Sequence, residues 1–236
     1  MVHASIPGFT MKISVVIPAL DEEQAIGSVV QDVPGDLVEE IIVADNGSTD
    51  DTVARATAAG ARVVHEPRRG YGAACLAGAK ATLNSEIIVF LDGDHSDDPT
   101  ELSVVAGPVM EDKADLVVGS RLKGRLEKGS MPWHGRLGNR IIVLLLRLLY
   151  GADITDLGSF RAIKRATLFD LHMEQLTYGW PVEMVVKAAK KGWRIQSVPV
   201  PYRRRLGKSK VSGTVRGSIM AAYYMFWVPL RYLWKD

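Results

Sequence analysis

An α/β fold with a mostly parallel central sheet flanked by helices is predicted by three features of the sequence. Short β-branched runs recur through the first half of the chain, each followed by a segment of helical period. One run, Ile87-Ile88-Val89-Phe90-Leu91, is apolar at every position, as a strand covered on both faces requires. It ends in Asp92-Gly93-Asp94, which delivers two carboxylates to the sheet edge where open α/β folds bind ligands.

The first strand, 12–17, is expected to end at Pro18, where a central strand would lose a donor. Asp21-Glu22-Glu23 opens a helix to Val33, with Ile26, Val29, Val30 and Val33 on one face and the acidic residues complementing its dipole. A second strand, 40–44, leads into Asp45-Asn46-Gly47-Ser48-Thr49-Asp50. There Asn-Gly marks a turn, and Ser48, Thr49 or Asp50 can cap the helix running to Ala58. Residues 62–65 form a third strand and 70–81 a helix of small residues, whose glycines suit close packing on a sheet as well as close approach of a ligand.

After the Asp92 turn, Pro99 starts a helix to Met110, and 115–121 return as a strand. No glycine triplet follows the first strand, and its turn is acidic, which disfavours a dinucleotide-binding Rossmann protein. Residues 122–134 are expected to form a mobile loop, and 136–150 a helix too short in its uncharged part to span a bilayer, hence buried or interfacial. Residues 156–161 read as a polar turn leading to a short helix at Arg165. A helix over 181–191 and an alternating edge strand over 193–199 follow. The predicted organisation is a flexible extension at 1–11, one domain at 12–205, and a basic mobile loop with an apolar, aromatic helix at 206–236.

A chain of 236 residues with 47% hydrophobic and 24% charged residues forms its core without disulfides, and the single Cys75, among small residues, reads as a packing residue. The net charge of +2 gives no basis for nucleic-acid binding. The distribution is uneven: Arg203, Arg204, Arg205, Lys208, Lys210 and Arg216 crowd one stretch, and Asp92, Asp94, Asp97 and Asp98 another. Acidic residues at a strand end commonly just open turns. Read functionally, a turn at Gly93 aims both carboxylates at a hard divalent cation such as Mg²⁺ or Mn²⁺. His95 and His134 lack a metal-ligand pattern, and Trp133 and Trp180 read as packing residues.

Residues 15–23 (Val-Val-Ile-Pro-Ala-Leu-Asp-Glu-Glu), Asp45-Asn46-Gly47-Ser48-Thr49-Asp50, Asp92-Gly93-Asp94, Gly119-Ser120-Arg121 and Gly207-Lys208-Ser209-Lys210 together resemble nucleotide-sugar glycosyltransferase family 2. The resemblance runs over about 12–213 and is closest to the dolichyl-phosphate and polyprenyl-phosphate mannosyl- and glucosyltransferases. It implies a Rossmann-like GT-A fold and inverting, metal-dependent transfer of a hexose from a UDP- or GDP-sugar to a polyprenyl or dolichyl phosphate. Carried over by position, Pro18, Leu20 and Glu22 line the nucleotide site, Val43 and Asp45 meet the base, and Asp92, Gly93 and Asp94 take metal, ribose and diphosphate. Arg121 contacts phosphate, as do Arg204 and Lys210 on the segment after the last core strand, with Arg205 the alternative partner. Asp94, Arg121, Arg204 and Lys210 form the implied catalytic set. Leu20, Asp21 and Ser96 stand where the mannosyltransferase pattern often has tyrosine, asparagine and a metal-binding glutamine, so the donor base and sugar stay open.

Two residues keep two readings each. Arg161 contacts an acceptor phosphate or pairs with Asp156 inside the fold; Glu183 is a base for a hydroxyl acceptor or positions structure. An acceptor that is already a phosphate anion needs no base. The apolar tail from Ile219 to Trp234, with arginines at its ends, is expected either to dock on a membrane or to pack against 141–149 or a second copy. The expected setting is cytoplasmic, peripheral at the membrane face. The alternatives are a glycosyltransferase for a soluble hydroxyl acceptor and a catalytically defective nucleotide-sugar-binding module.

Overall fold

The computed structural model describes residues 11–207 and 215–234. Residues 1–10 of the expected extension at 1–11 and the Lys208-Ser209-Lys210 stretch lie outside them. Strands β1 (Ile13–Ala19), β2 (Val38–Asp45), β3 (Arg62–His65), β4 (Ile87–Phe90), β5 (Leu116–Ser120), β6 (Arg161–Lys164) and β7 (Ile195–Pro199) form one seven-stranded sheet in the order β3-β2-β1-β4-β6-β5-β7. All neighbours are parallel except β6, which runs antiparallel to both β4 and β5. The helices are α1 (Ile26–Gln31), α2 (Thr52–Ala58), α3 (Tyr71–Ala81), α4 (Leu102–Met110), α5 (Trp133–Tyr150), α6 (Arg165–Asp170), α7 (Trp180–Lys190) and α8 (Val215–Arg231).

Alternation along the central strands divides the core between the two sheet faces. Ile13, Val15 and Ile17 of β1 with Ile87 and Val89 of β4 pack toward α1, α2 and α4. Val16, Ile88 and Phe90 point the other way, toward α3, α5, α7 and α8. Small residues let α3 lie close to the sheet: a Cβ on Gly78 would stand 2.4 Å from Val16 Cγ1. The strand order reverses between β1 and β4, so a crevice opens above the carboxyl ends of β1, β2 and β4.

Three local expectations are corrected. β1 continues through Pro18 to Ala19 against β2, but its pairing with β4 stops at Val16, so the proline sits where one neighbour has already left. Residues 161–164, where the polar turn 156–161 was expected to lead directly to the helix at Arg165, form a strand inside the sheet, with Arg161 opposite Phe90 and Lys164 opposite Ile87. Four residues with charged ends carry no strand period; two flanking strands supply the hydrogen bonds that make them one. Trp133, expected to pack, is 75% exposed, while Trp180 is buried with its ring edge against Phe90.

The start of α3 is fitted to a distant loop as closely as its end is to the sheet. A Cβ on Gly72 would meet the Gln175 carbonyl oxygen at 2.2 Å, whereas one on Gly138, inside α5, meets nothing within 4 Å. Gly72→Ala is therefore expected to lower stability by about 1–3 kcal/mol. Gly138→Ala is expected to raise it by about 0.4–1 kcal/mol, both measured by urea denaturation.

Candidate active site

The turn after β4 is built from carboxylates that hold its own backbone. Asp97 Oδ2 accepts from the Asp92 amide at 3.3 Å and from Ser159 Oγ at 2.8 Å, and Asp94 Oδ1 accepts from the Ser96 amide at 2.9 Å. Gly93 is closely packed, since a Cβ would lie 3.2 Å from Ile26 Cδ1 and 3.3 Å from Ile17 Cγ2. Tyr71, at the start of α3, donates its hydroxyl to Asp92 Oδ1 at 3.1 Å. Burial, then the neighbouring Asp94 charge, pushes Asp92 up to about 6; burial, then Asp92, pushes Asp97 up to about 7.

Residues 202–206 lie extended along this turn. The Arg203 amide donates to Ser96 O at 2.8 Å and the Leu206 amide to Asp94 O at 2.9 Å. Side chains of an extended segment alternate, and that decides which arginine reaches the acids. Arg203 pairs with Asp98, and Arg205 places Nη2 2.6 Å from Asp94 Oδ2 and 3.5 Å from Glu22 Oε1. Arg204, between them, turns outward: its Nε donates to the Lys128 carbonyl and stands 3.8 Å from Glu127 Oε1.

Asp92, Asp94 and Arg205 border a cavity of about 350 Å³ over the sheet edge. From the β1 side it is lined by Pro18, Leu20 and Glu22, from the β4 turn by Asp92, Gly93 and Asp94, and from the basic segment by Arg205. Asn46, Arg69, Gly70, Tyr71, Thr177 and Tyr178 complete its walls.

Residues 14–170 match the family model for glycosyl transferase family 2. The chain belongs to that family. An uncharacterized glycosyltransferase of Mycobacterium tuberculosis is 38% identical over 211 residues, covering 89% of this chain and 94% of the relative. A dolichyl-phosphate hexose transferase of Haloferax volcanii is 34% identical over 209 residues, 87% and 89% of the two chains. Among solved structures, glucosyl-3-phosphoglycerate synthase from M. tuberculosis in complex with phosphoglyceric acid superposes with a TM-score of 0.76 at 28% identity, over 94% of this chain and 80% of that one. The same enzyme in complex with Mg²⁺ and uridine diphosphate gives 0.76 at 27% identity, over 94% and 79%. The matches carry the enzyme class as well as the fold: this is a glycosyltransferase.

Several residues expected to contact substrate in this glycosyltransferase stand elsewhere. Val43 is buried in the core between β1 and β3. Asp45 stands at the end of β2 but spends its carboxylate on the Gly47 and Ser48 amides and on His65 Nδ1. Burial raises its pKa; the Ser48 bonds outweigh this and hold it below the usual range. Arg121 forks onto Asp156, with Nε–Oδ2 2.9 Å and Nη2–Oδ1 2.6 Å. Burial, the largest single influence, would lower its pKa, but the charge and hydrogen bonds of Asp156, with smaller contributions from Tyr202 and Asp97, together raise it. Arg121 thus occupies the partner expected for Arg161. Arg161 instead donates to the carbonyls of Gly158 and Pro181, keeps Nη2 unpartnered, and is lowered by burial to about 10. Glu183, on α7, is fully buried and does not line the cavity. Arg204 does not line it either, and Lys210 lies outside the described residues.

The cavity residues that sequence reasoning missed divide by cause. Asn46 was legible only as a turn residue, yet it stitches β2 to the next loop: Nδ2 donates to Glu66 O and Arg68 O, and Oδ1 accepts from the Gly70 amide. Arg69 and Tyr71 flank the glycine that was noted, and a basic and an aromatic residue around a glycine turn was the available signal. Thr177 and Tyr178 had none, because they arrive from a distant loop.

The raised carboxylates set a pH dependence with a definite sign. Asp92 and Asp97 hold protons more tightly in the folded protein than at the ordinary value of 3.8. Their contribution to stability is present in full below that value and is lost as pH rises through about 6 and about 7. Melting temperatures in chelator are expected to fall between about pH 5 and about pH 8, and Asp97→Asn to flatten that fall.

Proposed function

We propose that this protein transfers a hexose from a UDP-sugar to a polyprenyl or dolichyl phosphate, with inversion and with a bound Mg²⁺ or Mn²⁺. The observation that carries the acceptor is the absence of a spare base among the described residues. Every carboxylate lining the cavity (Glu22, Asp92, Asp94) belongs to the acidic turn or its Arg205 partner, and Glu183 is sealed in the fold. A phosphate oxygen attacks as it stands, whereas a hydroxyl must lose a proton. The dolichyl-phosphate hexose transferase, matched over 89% of its length, supports the same acceptor.

The site fits a hard divalent cation. Asp92 and Asp94 face one cavity, and their mutual repulsion under burial is what a cation relieves. Among the described residues no three His, Cys, Asp or Glu side chains group as a metal site, so two carboxylates would hold the ion beside the donor diphosphate oxygens. Bound there, it supplies positive charge to the departing diphosphate. Arg205 adds a second cation from the protein: its guanidinium borders the cavity, and its buried Nε has no partner among the described residues. The acceptor oxygen bonds to the sugar anomeric carbon as the bond from that carbon to UDP breaks.

A lipid acceptor calls for a surface that meets lipid, and α5 and α8 offer one, so we place the protein at the cytoplasmic face of a membrane as a peripheral enzyme. Trp133, Leu144 and Leu148 on α5 and Ile219, Tyr223 and Leu230 on α8 are exposed. Neither helix contains an acidic residue, and α5 carries Arg136, Arg140 and Arg147. No described helix is long and apolar enough to cross a membrane. A soluble hydroxyl acceptor is the second reading. The solved neighbours favour it more directly, since they are complexes of a phosphoglycerate-glucosylating enzyme with UDP and phosphoglyceric acid.

Purified protein with Mn²⁺ or Mg²⁺, UDP- and GDP-sugars, and either polyprenyl phosphate or phosphoglyceric acid separates the two when products are read by mass spectrometry. Glycolipid from a UDP-sugar is the expected product; a soluble glycoside without glycolipid would establish the second reading. Asp94→Asn is expected to lower kcat roughly hundredfold to thousandfold, the scale of removing one transition-state electrostatic contact. Arg205→Ala is expected to weaken UDP binding in calorimetry.

A further inference from the structure

The loop between α6 and α7 brings Thr177 and Tyr178 to the cavity, and its residues 174–176 are held from two directions. From above, the Ala73 amide of α3 donates to Leu176 O at 2.8 Å, and Gly70 and Gly72 leave no gap between the two backbones. From below, the Glu183 carboxylate accepts from the Gln175 amide at 2.7 Å and from the Glu174 amide at 3.0 and 3.1 Å. The same carboxylate accepts the Tyr232 hydroxyl, just past the end of α8, at 2.6 Å, and Lys187 Nζ stands 2.9 Å from it. Burial, then Glu183, raises the Tyr232 phenol, so it remains a donor.

α8 meets this wall at two further points. The Tyr224 ring lies 6.4 Å from that of Tyr178, a cavity residue, and Val228 packs where a Cβ on Gly179 would stand, 3.0 Å from its Cγ2. A fully buried carboxylate costs stability unless every oxygen is satisfied, and here the satisfying donors come from the wall and from the C-terminal helix together. Asp92 and Asp94 make none of these contacts themselves; α3 stands between, its Tyr71 donating to Asp92 Oδ1.

We infer that Glu183 is a positioning residue: it ties the seat of α8, through Tyr232, to the Thr177–Tyr178 wall, so that α8 governs the acceptor side of the cavity and leaves the nucleotide side alone. The assignment of sides rests on the transferase reading above; the mechanical link does not.

Two variants test it, Glu183→Gln and the milder Tyr232→Phe, which removes one hydroxyl and keeps the ring. Hydrogen exchange at the Glu174 and Gln175 amides is expected to quicken about tenfold in each, the scale of losing a hydrogen bond to a charged group. Acceptor KM is expected to rise about tenfold with UDP affinity, measured by calorimetry with Mn²⁺, kept within about twofold. Should Glu183→Gln not fold, Tyr232→Phe carries the test. Unchanged exchange in folded Tyr232→Phe overturns the link, and so does a parallel loss of UDP affinity and acceptor KM, which marks general loosening. Absence of transfer by the unsubstituted protein on every acceptor defeats the transferase reading and leaves the exchange result to decide the coupling.

Discussion

Asp92, Asp94 and Asp97 crowd the carboxyl end of a strand buried on both faces, and the structure around them is arranged to hold that charge. Burial makes each carboxylate expensive, and their proximity makes it more so. The cost is offset by directed donors: backbone amides of the turn itself, the hydroxyls of Tyr71 and Ser159, and Arg205 laid against Asp94. The extended segment that brings Arg205 is itself hydrogen-bonded to the turn, so the loop after the last strand and the loop after the central strand form one unit.

A second buried carboxylate does similar work on the other half of the sheet. Asp156, fully buried, accepts from the Arg121 and Leu122 amides and from both ends of the Arg121 fork. This fixes the loop before β6 to the end of β5. With Glu183 holding residues 174–175, three acidic centres each join segments far apart in the chain. In all three, anions accept backbone amides, which explains how loops around a cavity keep their shape without regular secondary structure.

The exposed face of α5 and α8 stands apart from this polar scaffold. α8 is attached through Val228 and Tyr232, both buried, while Tyr223 and Trp227 stack outside at 6.1 Å between centroids. One helix thus serves as an inner brace of the cavity wall and as an outer apolar surface, and this is the structural basis for linking what α8 touches to what the cavity accepts.

By itself, the sequence determined the βα alternation, the buried central strand with its Asp-Gly-Asp turn, and the acidic first loop. Each is a local pattern: a period of two or 3.6, or a turn residue beside a charge. The cavity contacts of Asp92 and Asp94 were legible for the same reason, since a strand end points its loop into the crevice whatever the rest of the fold does, whereas those of Pro18, Leu20 and Glu22 came with the family resemblance. Only the tertiary structure decided that 161–164 is a strand, because its hydrogen bonds belong to β4 and β5. It also decided that Arg205 and not Arg204 faces the site, since the phase of an extended segment is set by the turn it pairs with. Arg121 and Glu183 carried the right chemistry for substrate, but a charge takes the nearest partner that folding supplies. Asp156 and the 174–175 amides stand 35 residues and 8 to 9 residues away in sequence, and no local pattern records such pairings.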